Sequence, residues 1–189
     1  DPAATVTVSL YGSYVLRWTE VSGGVCTSSD DITVNFYEQP VADAGAATAQ
    51  ECDLSIQLLA IQSVAGSTGT WSVFAGNAAD ISFSNANLFN AVATSTAYGT
   101  YTLRFTETNG SCNDFDDIVV TFTESPVADA GTGGNECDLD FLLNATPSVG
   151  TGTWSKVSGP GVLSFSTNAN DPAATVTVSL YGSYVLRWT

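Results

Sequence analysis

The stretch DPAATVTVSLYGSYVLRWT, residues 1–19, occurs a second time without change at residues 171–189, an offset of 170 positions. Inside it Val6, Val8 and Leu10 alternate with Thr5, Thr7 and Ser9, and Tyr14, Leu16 and Trp18 share one side with Arg17 left on the other. A period of two is the pattern of a half-buried β-strand. The copied unit is therefore strand, turn and strand, and a fold that copies such a unit is a repeat fold.

A looser period lies inside the long one. PVADAG stands at 40–45 and 126–131, ECDL at 51–54 and 136–139, and GSTGTW at 66–71 is answered by GTGTW at 150–154. YGTYTLRFTE at 98–107 answers YGSYVLRWTE at 11–20, and Asp-Asp-Ile occurs at 30–32 and 116–118. The module is thus about 85 residues, two alternating versions making the 170-residue unit. Boundaries placed before each PVADAG give the C-terminal part of a module at 1–39, a complete module at 40–125 and the N-terminal part of another at 126–189. On paper, 126–189 followed by 20–39 makes a second complete module. The chain is read as a window cut from a longer array; the rival reading has its ends complement neighbouring chains by strand donation.

Composition agrees with strands. Val, Thr, Ser, Ala, Gly and aromatics dominate, Met and His are absent, and Lys, Arg and Glu are scarce. In residues 40–125, VADA, the DLSIQLLAI run, GTWSV, DISFS, the 88–97 run, TYTLRFTE and DIVVTFTE count as about seven strands. That number at turn spacings near ten residues predicts tandem Ig-like β-sandwich modules. Gly12-Ser13-Tyr14-Val15-Leu16 resembles the tyrosine corner of such domains, and Trp18, Trp71, Tyr101, Phe105, Trp154 and Tyr184 are expected in the cores. Ala93, Ser95 and Ala97 align with Val176, Val178 and Leu180, which predicts a looser strand in the first version. Only Glu38-Gln39-Pro40 or Glu124-Ser125-Pro126 separates consecutive modules, so an extended rod is expected.

Nineteen acidic residues against four basic ones give a net charge of −15. Phosphate recognition needs clustered Lys and Arg, so nucleic-acid binding is excluded as a function class, and no apolar run is long enough to cross a bilayer as a helix. Without His, a nucleophile elbow or a phosphate loop there is little to build an enzyme from. No cofactor is expected, with calcium the one ligand to weigh. Asp43, Asp114, Asp116 and Asp117, like Asp30 and Asp31, fall where the sixth strand turns into the seventh and the first strand arrives, and carboxylate oxygens converging there would suit a hard cation; the alternative is a solvated acidic turn. Asn109-Gly110-Ser111 and Asn144-Ala145-Thr146 match the glycosylation acceptor pattern.

Four cysteines without a zinc-type pair point to disulfides in an oxidising compartment. Cys52 and Cys112 are the only cysteines of the complete module; a bridge between them would close a loop of about 60 residues and stabilise by roughly 4 kcal/mol. In simple Ig topology, however, these positions lie at opposite ends of the sandwich. The other pairing left open joins each cysteine to an adjacent module, and Cys26 and Cys137 lack partners in this window either way.

The succession GTGTWSKVSGPG, DPAATVTV and YVLRWTEVSGGVCTSSDDITVNFYEQPVADAG resembles the PKD-like or Ig-like repeats of giant Bacteroidota cell-surface proteins. It is similar in particular to the gliding-motility adhesins secreted by the type IX system. A PKD domain proper carries a WDFGDG-like stretch after its Trp, where this chain has Trp154-Ser155-Lys156 and Trp71-Ser72-Val73. The resemblance implies an extracellular, cell-surface adhesin filament whose partners are an outside surface or polysaccharide, or other copies of itself. A structural filament or sheath assembling laterally or by strand exchange is the alternative, ahead of an accessory module of a secreted hydrolase.

Overall fold

The computed structural model describes residues 2–189. Its regular structure is all-β apart from one 3-10 turn, and it divides into two compact units, Asp1–Thr123 and Glu124–Thr189.

The first unit begins with a hairpin. Strands β1 (Gly12–Ser22) and β2 (Cys26–Phe36) pair antiparallel from Gly12 opposite Phe36 to Ser22 opposite Cys26. Gly23 and Gly24 supply the left-handed backbone that its turn requires. Seven strands follow: β3 (Thr48–Glu51), β4 (Ser55–Gln57), β5 (Thr68–Ala75), β6 (Ile81–Phe83), β7 (Val92–Ser95), β8 (Gly99–Asn109) and β9 (Cys112–Phe122). They form a four-stranded sheet in the order β3-β9-β8-β5 and a three-stranded sheet in the order β4-β7-β6. All pairs are antiparallel except β3 with β9, which run parallel from Thr48 beside Val119 to Glu51 beside Phe122. Alternate residues of both sheets meet in one core. Trp71, Tyr101, Leu103, Phe105, Ile118, Val120 and Phe122 come from the larger sheet, and Ile56 and Ala93 from the smaller, with Phe83 and Phe89 packed alongside.

The sequence places the first strand of this module at VADA. Only Asp43 there makes a bridge, opposite Ile61. Gly45 is in the left-handed region, and any Cβ on it would lie 2.9 Å from the Leu59 carbonyl oxygen, so the chain turns at Gly45 and resumes as β3. The 88–97 run contains β7: Ala93, like its counterpart Val176, is buried, Ser95 is buried where Val178 is half-buried, and Ala97 is half-buried where Leu180 is exposed.

The second unit repeats part of this plan. Strands β10 (Asp140–Leu142), β11 (Trp154–Ser158), β12 (Leu163–Phe165), β13 (Thr175–Val178) and β14 (Val185–Trp188) form a three-stranded sheet, β10-β13-β12, and a pair, β11-β14. Its core is Leu143, Trp154, Val176 and Trp188, the two indoles lying 5.2 Å apart.

Trp71, Tyr101, Phe105 and Trp154 occupy the cores expected of them, and Tyr184 is half-buried. Trp18 does not. It is 47% exposed, whereas Trp188, its counterpart in the copied stretch, is 6% exposed. The difference is the neighbour: Trp188 stands opposite Trp154 in the β11-β14 register, and Trp18 stands opposite Asp30 in a two-stranded hairpin. The tyrosine corner forms in all three copies. Tyr14 donates to the Leu10 carbonyl at 2.8 Å, Tyr184 to the Leu180 carbonyl at 2.8 Å, and Tyr101 to the Ala97 carbonyl at 3.3 Å.

Candidate functional site

The inward row of β9 is Phe122, Val120 and Ile118, after which it changes to Asp116 and Asp114. At that end the larger sheet faces the irregular segment 41–45, whose N–H groups have no strand to bond. Asp114 Oδ2 accepts from the Ala42 N–H at 3.0 Å and Asp116 Oδ2 from the Ala44 N–H at 2.9 Å. Asp43 turns back to accept from Gly45 at 2.8 Å. These carboxylates thus take the place of a missing strand, satisfying donors that would otherwise be stranded at the edge of the core.

Asp117 points to the opposite face. There Arg104, its register partner, binds it through two parallel N–H bonds of 2.8 and 2.9 Å. The guanidinium lies 3.7 Å from the ring centre of Phe74 and 3.8 Å from that of Phe115, held between the two rings. The Arg104 bonds hold the Asp117 carboxyl below the usual carboxylate range against a smaller opposing effect of burial. Arg17 and Asp31 repeat the pair in the hairpin, with bonds of 2.7 and 2.9 Å. The four carboxylates Asp43, Asp114, Asp116 and Asp117 therefore do not converge on one point. Strand alternation sends Asp117 outward while Asp114 and Asp116 go inward, and among the described residues no group of three or more acidic or sulfur side chains is placed to hold a metal ion.

The most enclosed acid among the described residues is none of these four. Glu107 continues the inward row Tyr101, Leu103 and Phe105 of β8, and it is 0% exposed. Its Oε1 accepts from the Ser63 N–H at 3.0 Å, the Val64 N–H at 3.1 Å and the Ser67 hydroxyl; its Oε2 accepts from the Ser63 hydroxyl at 2.9 Å. Burial opposes ionisation, but the Ser67 hydroxyl, the Val64 N–H and both donors of Ser63 outweigh it together and hold this carboxyl below the usual range. Ser63 in turn accepts from the Val41 N–H at 2.9 Å, so one carboxylate fixes the β4-β5 connection and, through it, the start of the module. A signal was present: the alternation of Tyr101, Leu103 and Phe105 runs on to position 107, and Ser63 and Ser67 lie in the loop such an acid would need.

The Cys52 to Cys112 bridge is not formed; all four cysteines are free. The register gives the reason. Cys112 is the first residue of β9, while Cys52 follows Glu51, which pairs with Phe122, the last. At a rise of about 3.3 Å per residue, the two ends of this strand are ~30 Å apart, against the roughly 4.4–6.8 Å between Cα atoms that a disulfide spans.

Cys112 lies at the seam where the hairpin joins the seven-stranded part of its unit. Its thiol is 3.9 Å from the Tyr37 carbonyl oxygen. Around it, Asn109 donates to the Glu38 carbonyl at 2.9 Å and Gln39 to the Asn113 carbonyl at 2.8 Å. The Tyr37 ring lies so close to Gly110 that a Cβ there would be 2.4 Å from it, and Pro40 is fully buried. The β8-β9 turn is thus docked on the short connector preceding its own module, and the Asn109 amide of the glycosylation pattern is engaged in that docking.

No protein-family model matches this chain, and neither does any curated protein. Among solved structures, an endo-fucoidan hydrolase of glycoside hydrolase family 107 aligns over 96% of this chain and 32% of its own, at 14% identity and a TM-score of 0.31. The first two ectodomain repeats of human protocadherin-24 align over 82% of this chain and 94% of theirs, at 12% identity and a TM-score of 0.36. Domains 4–9 of the surface layer protein SbsC align over 95% and 33%, at 14% identity and a TM-score of 0.25. The chain thus spans about a third of the length of the hydrolase and of the surface layer fragment. At these scores the likenesses say nothing of what the chain does.

Proposed function

We propose that this chain is a repeat segment of a long secreted cell-surface adhesin or filament, in which tandem Ig-like sandwich modules supply reach and attachment without catalysis. The observation that carries the reading is the unchanged return of 19 residues after 170 positions. A catalytic centre is needed once per chain, whereas copying a whole unit adds length and valency, which a stalk uses. The packing at residue 40 supports a stiff connection: the proline is buried and the connector is bonded from both sides by the β8-β9 turn. The negative charge fits a long polymer that must stay soluble and apart from its copies. Partners under this reading are an outside surface, a polysaccharide or other copies of the chain, and gliding motility is the process that the sequence resemblance brings to it.

Solution scattering tests the proposal. The chain continued past Thr189 by a second copy of residues 20–189 is expected to have a maximum dimension that grows in proportion to the number of modules. A radius of gyration near that of a compact protein of the same length would overturn the stalk reading. Antibody labelling of intact source cells is expected to reach these modules, and a signal seen only after lysis would overturn the surface location.

A further inference from the structure

The four free cysteines occupy two kinds of place. Cys52 and Cys137 each follow Glu in the ECDL motif, while Cys112 and Cys26 each open the last strand of a module, directly after a hairpin turn. In the complete module the carbonyl oxygen of Glu51, the residue before Cys52, accepts the Thr123 N–H at 2.8 Å. At the seam with the preceding hairpin, the Cys112 thiol lies 3.9 Å from the Tyr37 carbonyl oxygen. Tyr37 and Thr123 are the same position of the repeat, as Phe36-Tyr37-Glu38-Gln39-Pro40 and Phe122-Thr123-Glu124-Ser125-Pro126 align. The residue before the ECDL cysteine of one module is therefore bonded to the N–H of this position, and the hairpin thiol of the following module lies beside its C=O. The backbone of one cysteine and the thiol of another, from two modules, are brought to one position of the repeat.

We propose that each junction of the array is closed by an intermodule disulfide between the ECDL cysteine of one module and the hairpin cysteine of the next. The inference rests on the tandem-array reading. In the repeat register the partner of Cys52 is the next copy of Cys26, the partner of Cys137 is the next copy of Cys112, and the partners of Cys26 and Cys112 belong to upstream modules. Each cysteine of this chain is one half of a bond whose other half lies outside it, which is why no pair closes here. Formation is an ordinary thiol-disulfide exchange. One thiolate attacks a low-molecular-weight disulfide such as oxidised glutathione and releases one glutathione thiol, and the second thiolate displaces the other. Two cysteine thiols are oxidised, one glutathione disulfide is reduced, and the two protons the cysteines lose end on the two glutathione thiols formed. At residues 38–40 the connector is already held by the β8-β9 turn, so the bond would hold a preset junction there and resist its opening under pulling.

The test uses the chain continued past Thr189 by a second copy of residues 20–189, equilibrated with oxidised and reduced glutathione, digested without reduction and read by mass spectrometry. Two linked peptides are expected: Cys52 with the copied Cys26, and Cys137 with the copied Cys112. Four of the eight thiols should remain open to maleimide, and the original 189-residue chain should label at all four. Eight free thiols in the extended chain, or a Cys52–Cys112 peptide from either protein, would overturn the proposal. Replacing Cys52 by Ser is expected to free only the copied Cys26 and to leave the Cys137 link intact; rearrangement to a new pair would count against it. Scattering on the same sample separates the two readings, since an elongated particle with eight thiols defeats the bridge alone, and a compact particle with both bridges defeats the stalk alone.

Discussion

Replacing Glu107 with Gln removes one charge and one acceptor from a buried position while leaving the shape of the side chain almost unchanged. In the native protein four donors point at this carboxylate, two from the backbone and two from hydroxyls. Glutamine keeps one carbonyl oxygen and turns an N–H₂ toward groups that are donors themselves. With the amide oxygen in the place of Oε1 the bond at Oε2 is lost and the three at Oε1 become neutral ones; a hydrogen bond to a charged group is worth about 1.5–3 kcal/mol and a neutral one about 0.5–1.5, so the expected loss is about 3 kcal/mol. That is about a hundredfold in an opening equilibrium, because about 1.4 kcal/mol is tenfold. The readout is hydrogen exchange at the Ser63 and Val64 amides, expected to speed by about that factor at neutral pH. The effect has a definite pH sign. A carboxyl held below its unfolded value contributes stability that is fully present above the unfolded pKa and fades as pH falls through the folded one. With the reference value of Glu at 4.5, the difference between wild type and E107Q should be constant above pH 5 and shrink below pH 4. A change below about threefold at neutral pH, or one that is the same at pH 3 and pH 7, would show that the buried carboxylate does not fasten this loop.

Other outcomes follow from the same structure. Trp188→Ala should destabilise its unit by about 3–5 kcal/mol, and Trp18→Ala should cost under about 1 kcal/mol in urea unfolding, although the two tryptophans sit in identical sequence. Asp116→Ala leaves the Ala44 N–H without its acceptor and should cost about 1–2 kcal/mol, seen as faster exchange at that amide, while Asp43→Ala should leave the Ala44 amide protected. Arg104→Lys keeps the charge but loses the fork to Asp117 and the stacking between Phe74 and Phe115, with an expected loss of about 1 kcal/mol. Because Asp117 is held low mainly by that fork, its contribution is present above the ordinary Asp value and is lost as pH falls through the folded pKa, a slope that the Lys variant should flatten.

The copied stretch separates what is local from what is not. Its period-two pattern, its turn at Gly12 or Gly182 and its tyrosine corner are read from the residues alone, and the corner forms wherever the stretch occurs because a hydroxyl and a carbonyl four residues apart need nothing else. The strand state is different. Thr175–Val178 is β13 because β10 and β12 flank it, whereas the same residues at 5–8 form no strand, lacking such neighbours. A strand needs partners for its N–H and C=O groups and a sheet across from its apolar face, and neither is written in its own residues. The same limit hid the candidate site: which aspartates turn inward, that Glu107 meets Ser63 and Ser67, and that Cys52 and Cys112 stand at opposite ends of β9 all depend on register between segments tens of residues apart. Sequence by itself determined that the chain is strands, repeated, with cores built from named aromatics. Tertiary structure alone decided which copy of an identical residue is buried, because burial belongs to the surface that covers a side chain rather than to the side chain.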